Sequence, residues 1–177
     1  MKTAPSSSQQ EKLIVFLVIA AGVFLRLTPH PWNVTPVLGL ALFSGARLKT
    51  RLGVFMLLGT LFLSDLFLGA DATLPFTWGS FLLVFILGKS LKNTEFGPRV
   101  FLTSLLGSSL FYLISNFGVF LVTPLYEKTW NGFLQCYLMA IPFFRNAAIG
   151  DTVYTLVFFG TYHLAARRLA LRATSAA

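Results

Sequence analysis

Long apolar runs separated by short polar breaks set the rhythm of this chain. Six runs stand out: Leu13–Thr28, Val34–Ala46, Leu52–Gly69, Leu74–Leu91, Val100–Val122 and Ile141–Leu169. None alternates with the two-residue period of a half-buried strand, and their lengths are those of helices. The second run, about 13 residues, falls short of the ~20 that a straight crossing of a bilayer needs, so it is expected to tilt or to cross only in part. Its limits are sharp: "TPHPWNVTP", with three prolines, precedes it, and "RLKTR" follows. The segment Lys128–Ala140, "KTWNGFLQCYLMA", mixes Trp130, Phe133, Tyr137 and Met139 with Asn131 and Gln135. That mixture predicts an interfacial helix or structured loop with aromatics at headgroup level. The expectation is an all-α membrane protein, a bundle of six transmembrane helices over residues 13–170. It is flanked by a polar disordered tail (1–12, opening "MKTAPSSSQQ") and a short tail (171–177).

Composition sharpens this picture. Of 177 residues, 55% are hydrophobic and 11% charged, and the mean hydropathy is +0.74. Soluble domains carry about a quarter charged residues. The net charge of +8 would point to nucleic acid in a soluble protein, but here it marks topology. Lys2, Lys12, Arg47, Lys49, Arg51, Lys89, Lys92, Arg99, Arg167, Arg168 and Arg172 all fall on one side of a six-crossing arrangement. The opposite loops hold only Lys128. By the positive-inside rule both termini are expected to be cytoplasmic, with the chain in a cell membrane. A single cysteine, Cys136, excludes an intramolecular disulfide.

Against that background the stretch "IPFFRNAAIGDTVYTLVFFG" is anomalous, because it places Arg145, Asn146 and Asp151 within a span. Helix direction puts them in the outer half, level with Arg26, His30 and Asn33, with Ser64-Asp65, and with Asn116. A charged residue at mid-bilayer costs on the order of 2.5–3.5 kcal/mol on insertion scales, so these groups are expected to face the bundle interior. Asp151, Tyr154, Thr155, Phe158 and Tyr162 share one helical face, and Ser109, Tyr112 and Asn116 form a stripe on the fifth helix. Arg145 and Asp151, six positions apart, are about 120° apart around the axis and are expected to answer charges on other helices, such as Asp65 or Arg26. The buried set, two Arg and two Asp, is neutral.

Two readings compete for this cluster. One is a structural network that locks the helices in register. The other is an outward-facing pocket for a small polar solute, under aromatics that include Trp32, Trp78, Tyr126 and Trp130. The candidate binding residues are Arg26, His30, Asn33, Asp65, Trp78, Asn116, Arg145, Asn146, Asp151 and Tyr154. Arg would pair with carboxylate or phosphate, and Asp and Asn would read amine, amide or hydroxyl groups.

The blocks "RLTPHPWNVTPVLGLALFSGA", "LFLSDLFLG" and "NFGVFLVTPLYEKTWNGFLQCYLMAIPFFRNAAIGDTVYTLVFFG" resemble a bacterial membrane-protein family of unknown function, over most of residues 24–160. That family is similar to S-components, the substrate-binding subunits of energy-coupling factor vitamin transporters, which are small six-helix proteins with an outer binding site. The resemblance implies uptake of a vitamin or precursor and docking on an energising module. The Ala-x-x-x-Ala patch common on the first helix of S-components is absent, since Phe24 follows Ala20 and Leu25 follows Ala21. The nearest small pair, Ala41/Gly45, is the docking surface the resemblance leaves. The solitary mode associated with cobalamin stays open and makes cobalamin the leading specific solute. In that type a cysteine near the third outer loop ligates cobalt; the matching "FTWGSFLLV" offers Ser80, and Cys136 lies in another loop.

Other chemistry is sparse. No phosphate loop, HExxH or GxSxG stretch occurs, and His30 and His163 fall on opposite sides of the assigned topology, so no enzyme, metal site or cofactor is expected. A proton-coupled carrier using Asp65 and Asp151 is the main rival to passive binding, followed by a structural or assembly protein without a ligand.

Overall fold

The computed structural model describes residues 7–28, 34–94 and 96–175. Within them lie six α-helices: α1 (Ser7–Leu27), α2 (Val37–Arg47), α3 (Thr50–Leu68), α4 (Leu74–Gly88), α5 (Pro98–Val122) and α6 (Trp130–Ser175), with a 3-10 turn at Lys89–Leu91. Proline opens α4 and α5 in the first turn, where its missing N–H would be unpaired in any case. After α3 the chain turns at Gly69, whose φ of +91° suits a residue without Cβ. The segments Thr50–Phe67, Leu74–Leu91 and Pro98–Val122 are long and apolar enough to cross a membrane.

The short second run becomes the centre of the molecule. In α2 every residue from Val37 to Ala46 is buried, and the helix touches each of the other five. A helix that is apolar all round belongs in a core. At 1.5 Å per residue its 11 residues rise only about 16 Å, half a hydrocarbon layer. Phe43 anchors it, packing edge-on against Phe159 at 5.3 Å and near Phe158 and Tyr162 of α6. Where α2 meets α4, Gly45 lies against the Phe85 carbonyl and Gly88 against the Leu42 carbonyl, and a Cβ at either site would collide with backbone. The Ala41/Gly45 pair is therefore internal, with Ala41 fully buried, and cannot serve as a docking surface. Glycine is there for contact within the chain.

Two further boundaries differ from expectation. The helix α1 begins at Ser7, inside the stretch read as a disordered tail, and α6 runs on to Ser175. More significant, the interfacial segment Lys128–Ala140 is not a separate element. From Trp130 it is the first part of α6, a 46-residue helix that carries Pro142 inside it. The proline removes one N–H from the ladder, the one that would reach the Leu138 carbonyl. Aromatic packing stabilises this N-terminal arm: Trp130 stacks on Phe133 at 5.4 Å, and Phe133 meets Phe120 and Tyr137.

Polarity runs opposite to that of a water-soluble bundle. The face of α5 that points away from its neighbours carries Phe101, Leu102, Leu105, Leu106, Leu113, Phe117 and Leu121, all exposed. Its buried face is Val100, Thr103, Ser104, Gly107, Ser108 and Gly118. An apolar belt this continuous marks a surface made for something other than water.

Candidate functional site

At the end of the bundle where α1, α3 and α5 finish, a cavity of about 510 Å³ opens between α1, α4, α5 and α6. Five aromatic rings, Phe81, Phe111, Tyr112, Phe143 and Phe144, form much of its wall, and Arg26, Thr35, Thr77, Ser108, Ser115, Asn116 and Asp151 supply polar groups. Each helix contributes by phase. On α5, Ser104, Ser108, Phe111 and Ser115 follow one another at three or four residues, so one face is small and hydroxylated. On α6, Asp151 and Thr155 occupy the same inward stripe, and both are buried.

The buried charged group of the cavity is Asp151, 5% exposed, whose Oδ2 accepts a hydrogen bond from Ser108 Oγ at 2.8 Å. One layer further in, Ser104 Oγ donates to Thr155 Oγ1 at 3.3 Å. Among the described residues the partner of Asp151 is thus a neutral hydroxyl rather than a cation. Arg26, near the end of α1, lines the same cavity, and its Nε is buried without a hydrogen-bond partner. Asp65 lies within electrostatic reach of Arg26 and accepts from Trp78 Nε1 at 2.8 Å and from Ser64 Oγ at 3.4 Å. Asn116 directs its amide Nδ2 to the Tyr112 carbonyl at 2.8 Å. A reciprocal clasp closes α5 on α6: Tyr112 Oη donates to the Tyr137 carbonyl, and Tyr137 Oη to the Leu113 carbonyl, both at 2.7 Å.

The ten residues expected from sequence divide accordingly. Arg26, Asn116 and Asp151 line the cavity together. Asp65 and Trp78 form a hydrogen-bonded pair beside it. Tyr154 is on the expected inward face but packs on the core, its backbone against Gly39 and its ring 6.1 Å from Phe158. Arg145 and Asn146 point away and are exposed, which corrects the expectation that they face inward. The reason is geometric: with Asp151 turned inward, residues five and six positions earlier lie on the far side of the helix. His30 and Asn33 lie outside the described residues. The buried charge set changes as well. Without Arg145, the described residues set Arg26 against both Asp65 and Asp151.

Sequence reasoning missed Ser104, Ser108 and Ser115, while Thr155 lies on the inward face expected for it. Of the α5 stripe expected from sequence, Tyr112 and Asn116 line the cavity, whereas Ser109 bonds the Leu105 carbonyl of its own helix. The signal was present in the small residues Ser104, Gly107 and Ser108, which mark the side where α5 approaches its neighbours. Cys136, almost fully buried, directs Sγ to the Asn116 carbonyl at 3.5 Å and does not line the cavity. Ser80, in the position matching the cobalt-ligating cysteine, is fully buried and donates to the Phe76 carbonyl at 2.6 Å. Among the described residues no group of three His, Cys, Asp or Glu side chains could hold a metal ion.

Residues 6–174 match the family of unknown function DUF6580, and the chain belongs to that family. No curated protein matches the chain, and neither does any solved structure.

Proposed function

We propose that this DUF6580 protein is a six-span inner-membrane protein, with both termini cytoplasmic, that binds a small polar nutrient in the cavity beneath its outer face for uptake. One observation carries the reading: a cavity of drug-sized volume holds Arg26, Asp151 and Asn116 inside an otherwise apolar bundle. A network meant only to lock helices would pair its charges and fill the space between them. Here Arg26 and Asp151 both border open volume, and among the described residues Asp151 has a hydroxyl where a structural network would supply a cation. A solute with an acid group for Arg26 and an amine or amide for Asp151 completes both. The five rings offer faces for a planar ring system.

The similarity to S-components agrees with the size, the helix number and the outer site, and implies a vitamin or a vitamin precursor. Two observations weigh against cobalamin. Pockets of about 300–1,000 Å³ suit drug-sized ligands, and 510 Å³ is small for a corrinoid. Neither Ser80 nor Cys136 offers a ligand to the cavity. An energising module, if this protein uses one, docks elsewhere than Ala41/Gly45.

A second reading shares the site. A buried carboxylate without a cationic partner suits a proton-coupled carrier, in which Asp151 alternates between proton and solute amine. Reconstituted alone in liposomes, such a carrier accumulates solute when a proton gradient is imposed, and an S-component does not. The experiment for the principal reading is mass spectrometry of small molecules that co-purify with the protein in mild detergent. A stoichiometric solute with acid and amine or amide groups is the expected result. An empty wild-type protein from every growth medium, together with an Asp151→Asn variant that no longer gives a monodisperse peak, would instead establish a structural network.

A further inference from the structure

A second cavity, of about 430 Å³, lies at the opposite end of the bundle between α1, α2, α3 and α6. Its wall is divided by chemistry. Val15, Phe16, Ile19, Leu48, Leu52 and Met56 make an apolar trough, and Lys12, Arg47 and Tyr162 close it at the helix ends. Phe16 and Leu52 are more than half exposed, so the trough continues into the apolar outer belt of the bundle. Lys12 is exposed on the first part of α1, and Lys49 and Arg51 stand exposed around the start of α3. The Arg47 guanidinium is fixed in place, 4.4 Å over the Tyr162 ring and donating to the Lys92 and Thr94 carbonyls. Among the described residues no acidic side chain lines the cavity.

We propose that this cavity is a binding site for one anionic phospholipid, with an acyl chain in the trough and the phosphate at Lys12 beside Arg47. Charge and depth both select that occupant. The basic residues sit at the helix ends, at headgroup level in the assigned topology, and the apolar residues extend from there toward mid-bilayer. A basic pocket between helices on the cytoplasmic side is the arrangement that recognises acidic headgroups. A neutral lipid would fill the trough but leave Lys12 unanswered, and a free phosphate would meet Lys12 but leave the trough empty. The site rests on the membrane reading above, not on the solute reading.

The test is native mass spectrometry of the full chain released from vesicles of equimolar phosphatidylglycerol and phosphatidylcholine. Wild-type protein is expected to retain one phosphatidylglycerol in clear preference to phosphatidylcholine. The exposed Lys12 tolerates substitution, and Lys12→Gln should lower that preference about fivefold, the worth of one basic residue near an acidic surface. Met56→Trp, which fills the trough, should remove the retained lipid, and Asp151→Asn should leave it in place. Equal retention of the two lipids, or a preference that survives both Lys12→Gln and Met56→Trp, would overturn the site. Release of the lipid by excess inorganic phosphate would overturn it too, because the trough would then contribute nothing.

Discussion

Arg26 and Arg47 each stand in the last turn of a helix, at opposite ends of the bundle, and their surroundings are opposite in kind. Arg47 borders a cavity too, but its guanidinium is held by the chain: it stacks on Tyr162 and bonds the Lys92 and Thr94 carbonyls, tying the end of α2 to the turn before α5. Arg26 lines the larger cavity beside Asn116 and Asp151, with Asp65 within electrostatic reach, and no described carbonyl or ring holds its guanidinium as those around Arg47 do. Both are cations in an apolar bundle, where a charge is tolerated only with partners. At the Arg47 end the partners are supplied by the chain itself. At the Arg26 end the chain supplies Asp65 within electrostatic reach, and a cavity adjoins the guanidinium. The difference separates a cation that holds a fold together from one placed to receive a ligand.

The comparison can be broken at either arginine. Arg47→Ala should give the largest effect, a loss of about 2 kcal/mol of stability. Two charge-assisted hydrogen bonds and a cation–π contact disappear, discounted because the site is partly exposed. Thermal unfolding in detergent checks it. Arg26→Gln and Asp151→Asn should each weaken solute binding roughly 10- to 100-fold, the range for losing a charge-assisted contact. Their unfolding temperatures should stay near wild type, since Asn keeps an oxygen for Ser108 Oγ. Equilibrium binding of the co-purifying solute measures this. Tyr137→Phe, which removes half of the clasp, should cost about 1 kcal/mol and loosen the N-terminal arm of α6, read as faster hydrogen exchange around Leu113 and Tyr137. Arg145→Ala should change stability and binding least, within about 0.5 kcal/mol for an exposed position away from such contacts. An Arg145→Ala protein that lost solute as Arg26→Gln does would show that α6 is turned the other way.

That last outcome bears on how far sequence could see. The six runs were legible because apolar length and flanking Lys and Arg are local properties, and the structure contains a helix at each. The shared level of Arg26, Asn116 and Asp151 along the bundle was legible for the same reason, since helix direction fixes level, and the three line one cavity. Which way a residue points was less so. Asp151 and Arg145 cannot both face inward on one straight helix, and choosing between them needs the neighbours that only packing supplies. Once Ser108 is found against Asp151, the choice follows. The α5 stripe was read in part: Tyr112 and Asn116 line the cavity, but Ser109 does not, because helix approach is governed by the smaller Ser104, Gly107 and Ser108. The shortness of α2 was visible as a run too brief to span. Its burial on every side followed from uniform apolarity, which a tilted crossing also satisfies, so its central place emerged only from contacts.

The most direct test of the contrast is to purify Arg26→Gln and Arg47→Gln beside wild type, and to measure for each both the retained solute and the unfolding temperature. The account predicts a crossed result: Arg26→Gln melts with wild type but comes away empty, while Arg47→Gln melts markedly lower and, kept below its transition, still carries solute. If Arg26→Gln instead lost its fold along with any bound solute, or wild type carried none, Arg26 would be part of the scaffold and the cavity would not be a binding site.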